Sequence, residues 1–235
     1  MVKILPSEAI ELVRKNLEEL DPNGSIMYDD ENGSSSAYGD NMSMNDIIKR
    51  NLPEAINAVQ NAAPVQLLEG KPFESTDLNS VTLQEDGVLS IYLKSSTNFL
   101  RLVAFRAADS EIVVTDILSE ASPEGRKQLN PYIRGRYDRP RLVLQQGRHT
   151  GPLLKYYSLD PDGSEFDYFI THPSSAISRL VFVQEQFYPG PAAGYDISRR
   201  LRQNIIDYLT AMVMETYSDQ RAQLFSQKAN NFSII

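Results

Sequence analysis

The stretch from Asp196 to Lys228 constrains this chain most, because no Pro or Gly interrupts it. Apolar residues recur at Ile197, Leu201, Ile205, Leu209, Met212, Val213, Leu224 and Phe225. The early spacing of four, four, four and three places one stripe on one helix face. Asp196 is a good N-cap, since its carboxylate can accept from the free amides of a first turn. The pattern predicts one long helix of roughly 48 Å at about 1.5 Å per residue. Such a rod either packs along the core of its own domain or reaches out to a neighbouring chain. The stripe is strongest through Val213 and thins over Glu215–Gln223, which favours two jobs. The first half packs inside the domain, and the last turns leave it to meet a partner.

The rest of the chain must supply what that helix packs on. A first helix is expected over 7–20, capped by Ser7 with Pro6 just outside, burying Ile10, Val13, Leu17 and Leu20. A second is expected over 44–63, with Ser43 and Asp46 imitating a capping box. Ile47, Ile48, Leu52, Ala55, Ile56, Val59 and Ala63 form its apolar face. Pro53 should kink or split it near Asn51–Leu52, and Pro64 should end it. Between the two lies 21–43, rich in Gly, Ser, Asn and Asp, which reads as a long loop. Its acids lack the order and the terminal Glu of an EF-hand loop. It would order only against a partner.

The period then changes. VTLQ (81–84), GVLSIYL (87–93), FLRLVAF (99–105), RLVLQQ (141–146), LLKYYS (153–158), FDYFIT (166–171) and RLVFVQE (179–185) read as strands between polar breaks. EDG at 85–87 and DPDG at 160–163 are turn signals. Ser122-Pro123-Glu124 opens a short helix through Leu129. The Pro/Gly-rich linker 187–196 delivers the chain to the long helix. The expected class is α+β. N- and C-terminal helices form a helical body, and a small antiparallel β domain is inserted in it. The divisions are 1–70, with the loop 21–43, for the first part of the body; 80–185 for the β domain; 196–228 for the long helix; and 229–235 for an apolar tail.

Charge and composition limit the functions open to this architecture. The 235 residues carry a net charge of −8, and the imbalance sits in residues 1–80, with 14 acids against 6 bases. A sequence-reading DNA binder would be basic. An acidic surface suits a wall past which DNA slides, or simple solubility. No cysteine is present, which excludes disulfides, thiolate metal sites and cysteine nucleophiles. No apolar run approaches the ~18 residues a membrane helix needs. The N-terminus lacks the apolar segment of a signal peptide, so no membrane partner is expected.

Catalytic signatures are missing from the sequence. There is no P-loop, no G-x-G-x-x-G, no H-E-x-x-H and no G-x-S-x-G elbow. His149 and His172 each sit beside turn residues without metal-ligand spacing. The expectation is therefore a non-enzyme, with no metal and no cofactor. The absence of tryptophan weakens a sugar-binding reading, although 12 tyrosines leave it open.

Two basic clusters stand out instead. NPYIRGRYDRPR (130–141) holds Arg134, Arg136, Arg139 and Arg141 with Tyr132 and Tyr137 between them. SRRLR (198–202) holds Arg199, Arg200 and Arg202. Arginine interleaved with tyrosine suits a protein interface, phosphate contact or base stacking. Arg199, Arg200 and Arg202 fall in the first turns of the long helix. There they oppose its dipole by about 0.3–1 kcal/mol each, so a partner carboxylate is expected. The terminal NNFSII carries Phe232, Ile234 and Ile235, which either fold back on the core or dock in a neighbour's groove.

Several blocks follow one another in a familiar order: SEAIELVRKNLEEL, IIKRNLPEAINAVQNAAP, NFLRLVAFRAADSE, NPYIRGRYDRPRLVL followed by LKYYSL, and then the terminal helix. In that order the chain resembles the head-to-tail connector, or adaptor-ring, proteins of short-tailed, crAss-like bacteriophages. The blocks cover most of the chain, and none is a catalytic motif. The resemblance implies a structural virion protein at the head–tail junction, made in the host cytoplasm. It implies a homo-oligomeric ring, commonly of twelve, beneath the portal protein. Such a ring extends the channel for double-stranded DNA without sequence-specific binding, and receives tail or further ring proteins. On that basis Leu224, Phe225, Phe232, Ile234 and Ile235 would dock toward the portal or a neighbour. Tyr132, Arg134, Arg136, Tyr137, Arg139, Arg141, Arg199, Arg200 and Arg202 would contact adjacent subunits. The rival readings are another tail ring or hub component, or a carbohydrate-binding or hydrolytic protein working through the β domain.

Overall fold

A computed structural model describes residues 1–20, 44–147, 151–163, 165–188, 190 and 193–232. The loop 21–43, Ser43 of the expected capping box, His149, Ile234 and Ile235 lie outside the described residues. In chain order the elements begin with β1 (Val2–Ile4), α1 (Pro6–Leu20) and α2 (Met44–Ala62). There follow β2 (Lys71–Pro72), β3 (Leu78–Leu83), β4 (Val88–Leu93), β5 (Phe99–Ala107), β6 (Ile117–Ser119) and α3 (Pro123–Lys127). Then come β7 (Arg141–Gly147), β8 (Gly151–Tyr157), α4 (Phe166–Thr171), β9 (Ile177–Gln184), β10 (Tyr195–Ile197), α5 (Arg202–Thr216) and α6 (Ala222–Ala229). The fold thus mixes helices and sheets. It divides into two compact units: residues Met1–Glu69 with Glu185–Ile235, and residues Gly70–Gln184.

The first unit is built on α1, α2, α5 and α6. Val13 and Leu17, then Ile48, Leu52, Ile56 and Val59, then Leu201, Ile205, Leu209 and Val213 are all buried. Each set recurs at three- and four-residue steps, which brings its members onto one helix face. Asn16 Nδ2 donates to Thr210 Oγ1 at 3.2 Å and ties α1 to α5. Pro6 belongs to the first turn of α1 rather than preceding it, because a first-turn residue needs no donor N–H. The Ala9 N–H closes that turn on the Leu5 carbonyl at 3.0 Å. Pro53 does not split α2, which runs unbroken from Met44 to Ala62. A proline deletes only one backbone bond, and buried Leu52, Ala55 and Ile56 hold the segment around it.

The long helix of 196–228 is not formed. Asp196 is no N-cap. It lies in β10, which pairs antiparallel with β1 in the register Val2↔Ile197, Lys3↔Asp196 and Ile4↔Tyr195. A single 3-10 turn, Arg199–Leu201, precedes α5. The second interruption falls where the apolar stripe thins. Ser218 takes φ 58°, a left-handed conformation. The Ser218 N–H donates to the Glu215 carbonyl at 3.0 Å, and the Asp219 N–H donates to that of Met214 at 2.9 Å. These paired bonds form the Schellman closure that ends a helix by satisfying its last carbonyls. α6 then packs back on α5, and Asn204 Nδ2 donates to the Ala229 carbonyl at 2.8 Å.

The second unit holds two sheets. One has five strands in the order β3-β4-β8-β7-β6, and the other has three in the order β2-β9-β5. All pairings are antiparallel except β6–β7, a departure from the purely antiparallel domain expected. Leu89, Ile91, Leu102, Phe105, Leu154, Tyr156, Leu180 and Phe182 form the buried centre. The rings of Phe105 and Tyr156 are 4.8 Å apart there. The EDG turn is closed by the Gly87 N–H on the Gln84 carbonyl at 2.9 Å. Gly87 has φ 80°, and a Cβ there would stand 2.4 Å from the Leu159 carbonyl, so only glycine fits. FDYFIT is the helix α4, not a strand. Its Phe166 and Phe169 are buried one turn apart while Tyr168 and Ile170 are exposed, a three-residue period that alternation does not satisfy.

Candidate functional site

Residues 129–141 form a braced loop between α3 and β7. Ser122 starts α3 by accepting from the Gly125 N–H at 3.0 Å. This places Gln128, which is buried, with Nε2 on the Glu124 carbonyl and Oε1 accepting from the Gly135 N–H at 2.7 Å. Gly135 is held close to its surroundings. A Cβ there would meet the Arg141 nitrogen at 2.9 Å and the Tyr157 carbonyl at 3.0 Å. Arg136 and Arg139 exchange backbone hydrogen bonds of 3.3 and 2.9 Å across a two-residue turn, Tyr137-Asp138. Arg134 Nη1 reaches Asp86 Oδ2 at 2.8 Å, and its other terminal nitrogen donates to the Asp86 carbonyl. Tyr137 Oη donates to the Asp109 carbonyl at 3.0 Å. Four anchors therefore fix the loop without using the side chains of Arg136, Arg139 or Arg141.

What the loop presents is apolar and cationic together. Tyr132 is 85 % exposed, Leu129 61 % and Ile133 58 %, and Tyr137 is about half exposed. The structure therefore gathers the six residues of the first Arg/Tyr cluster on one loop, but gives them two roles. Arg134 and Tyr137 are tethers, Tyr132, Arg136 and Arg139 are exposed, and Arg141 is half-buried at the start of β7. Sequence reading did not find the residues that do the tethering, Asp86, Asp109 and Gln128. Asp86 was visible only as part of a turn, and Gln128 carries no signal at all.

Beneath this loop lies a buried polar group. Tyr156 Oη, Ser158 Oγ and Asp109 Oδ1 are all buried without a hydrogen-bond partner among the described residues. Tyr156 Oη stands near the hydroxyls of Ser158 and Ser110, without hydrogen-bonding geometry to either. Ser158 has φ 132°, a strained conformation for a residue with a Cβ. Burial pushes the Asp109 carboxyl above its ordinary range. Backbone N–H groups oppose this, and the charges of Asp160 and Glu165 add to it. Burial likewise raises the Tyr156 phenol.

The second basic cluster is separate, in the first unit. Arg202, the first residue of α5, pairs with Glu8 in the first turn of α1, which supplies one expected carboxylate. Glu69 supplies another. Its carboxyl is held below the usual range first by the Met1 ammonium, then by the Arg199 N–H and the Arg200 charge, against a cost of burial. Arg199 and Arg200 themselves are exposed.

The C-terminal docking set is divided. Phe225 is 3 % exposed and packs into the first unit, with Lys228 Nζ 4.7 Å above its ring, so it is not free to dock. Leu224, the neighbouring residue, points the other way and is 47 % exposed. Phe232 is half-buried. Helical rotation of 100° between neighbours makes one of Leu224 and Phe225 structural and leaves the other at the surface.

His172 caps α4, stacked on Tyr168 with ring centroids 4.6 Å apart and with Nδ1 2.9 Å from Thr171 Oγ1. Among the described residues no three acids or histidines gather to hold a metal ion, and no helix is long and apolar enough to cross a membrane. No family model, curated protein or solved structure matches the chain.

Proposed function

We propose that this protein is a structural subunit of a head-to-tail connector ring of a short-tailed, crAss-like bacteriophage. In this reading the ring attaches to the portal, extends the DNA channel and receives the tail. The finer architecture belongs to the same reading: a helical body carries an inserted β domain, and the β domain presents the Arg/Tyr loop to an adjacent subunit. The chain does no chemistry and needs no cofactor.

One observation carries the proposal. Large apolar side chains are exposed in both units: Leu129, Tyr132 and Ile133 in the second, and Leu5, Phe187, Tyr188 and Leu224 in the first. A ring closes through heterologous contacts, in which one patch meets a different patch on the next copy. A chain built for that purpose must expose two unlike sticky surfaces, and tyrosine with arginine is the composition such contacts favour. The order of sequence blocks supports the same family.

The test is the state of the purified full chain, alone and with portal protein. Light scattering and negative-stain micrographs should show rings. A dodecamer of the 26.5 kDa chain would weigh roughly 320 kDa. A monomer under both conditions refutes the proposal. The pair Tyr132→Ser and Ile133→Ser should abolish rings while leaving the unfolding temperature unchanged, because both side chains lie outside the core.

A further inference from the structure

The loop and α3 enclose a concavity of about 460 Å³, within the range of small-ligand sites. Lys127, Arg136, Arg139 and Arg141 line it. None of these four makes an ion pair among the described residues, whereas Arg134 on the same loop is committed to Asp86. Glu124 and Asp138 also line the concavity, which leaves an excess of two positive charges among these six side chains. The net charge of −8 does not cancel this excess. Residues 70–184 carry 13 bases against 14 acids and are nearly neutral. Charges further than about 8 Å away are screened at physiological salt.

We infer that this concavity binds a phosphate-bearing ligand through Lys127, Arg136, Arg139 and Arg141. The backbone bridge between residues 136 and 139 fixes the roots of two guanidinium groups on one tight turn. The Gln128–Gly135 bond and the Arg134–Asp86 pair hold that turn without ligand. A single carboxylate fills one guanidinium fork. Several cations converging on one small concavity match a group with three or more charged oxygens, and arginine suits that geometry. The same chemistry is offered by the phosphodiester backbone of a nucleic acid and by a free oligophosphate. This site does not depend on the ring proposal; because that reading places the same loop against an adjacent subunit, the Tyr132→Ser, Ile133→Ser variant, which should form no rings, is tested beside the parent chain.

The experiment is binding of a short fluorescent DNA duplex to the full chain by anisotropy, from about 50 to 200 mM salt, with tripolyphosphate as competitor. Saturable binding that tripolyphosphate displaces assigns the site to nucleic-acid phosphate. Calorimetric binding of tripolyphosphate with no duplex binding assigns it to a free oligophosphate. In either case the triple variant Arg136→Gln, Arg139→Gln, Arg141→Gln should lose at least about tenfold in affinity. For the duplex, the slope of log K against log salt should become shallower by ~0.9 for each phosphate no longer neutralised. The single variant Arg139→Gln, at an exposed position, should show the same trend in smaller measure if the triple variant unfolds. Arg199→Gln with Arg200→Gln, in the other unit, should bind as the parent does. No binding of either probe at the lowest salt overturns the inference. So does unchanged affinity in the triple variant, or displacement by poly-glutamate more readily than by tripolyphosphate.

Discussion

Replacing Ser218 with glycine distinguishes the two accounts of the C-terminal segment by the sign of one number. In the structure Ser218 sits at φ 58° in the closure that ends α5. A residue with a Cβ costs about 1–2 kcal/mol in that conformation. Glycine escapes this cost but gives back about 0.5–1 kcal/mol of extra unfolded-state entropy. The expected net effect is stabilisation by about 0.5–1 kcal/mol. In one continuous helix over 196–228, residue 218 would be interior, and glycine would destabilise by roughly 0.5 kcal/mol relative to serine. Ser218→Ala reverses the comparison. It should stabilise a continuous helix by about 0.5 kcal/mol, and should be neutral or unfavourable at a left-handed position. Urea unfolding followed by helical circular dichroism reads both variants. With a slope of about 1–3 kcal/mol per molar, the glycine variant should move the midpoint upward by a few tenths molar. Because the chain has two compact units, the helical signal of the first is the one to fit. A lower midpoint for Ser218→Gly with a higher one for Ser218→Ala would refute the break between α5 and α6.

Further outcomes follow from the same structure. Phe105→Ala, at a fully buried side chain whose ring packs tilted against Tyr156, should cost about 3–5 kcal/mol in the unfolding of the second unit. Asn204→Ala should cost about 1 kcal/mol and speed hydrogen exchange in α6, since it removes the bond to the Ala229 carbonyl. The Asp207 carboxyl is raised by burial, against a hydrogen bond from Gln203 and the Lys228 charge. A raised carboxyl destabilises the fold when ionised, above its folded pKa, and not below the unfolded value near about 3.9. Asp207→Asn should therefore be more stable than the parent at neutral pH, with the gain disappearing as pH falls into that range. Leu224→Asp should leave the unfolding midpoint within about 0.5 kcal/mol but weaken ring or portal attachment, read by co-sedimentation.

The elements legible in the sequence are those decided by local pattern. The stripes Val13–Leu17, Ile48–Val59 and Ile205–Val213 lie within α1, α2 and α5, because each set of side chains is buried against a neighbouring helix, while Leu201 is buried in the 3-10 turn before α5. Six of the seven expected strands form. FDYFIT fails because aromatic residues favour strands by composition, while the burial of Phe166 and Phe169 obeys a helical step. The periodicity of six residues is too short to separate the two. Asp196 fails for a different reason. Its pairing partner is Lys3, almost the whole chain away, and no local window contains that information. Much of the basic loop was legible as composition, but its division of labour was not. Which arginine is tethered depends on where Asp86 falls after β3 and β4 fold.

The C-terminal segment shows how far a stripe can be trusted. Its thinning over Glu215–Gln223 was a true signal, and the structure turns it into a physical event. Carrying α5 straight on would expose Phe225 and Ala229 to water, since the stripe has no continuation to cover them. Ending α5 at Ser218 folds α6 back, so that Ala222, Phe225 and Ala229 bury against α5 instead. At about 25 cal/mol per Å² of apolar surface, burying one phenylalanine is worth about 2–3 kcal/mol. That exceeds the ~1–2 kcal/mol of the left-handed serine, so the chain turns even without a glycine. The same fold-back removes Phe225 from any docking surface and leaves Leu224 on the outside. Among the described residues, this end of the chain therefore offers exposed Leu224, and not a protruding rod, to any partner.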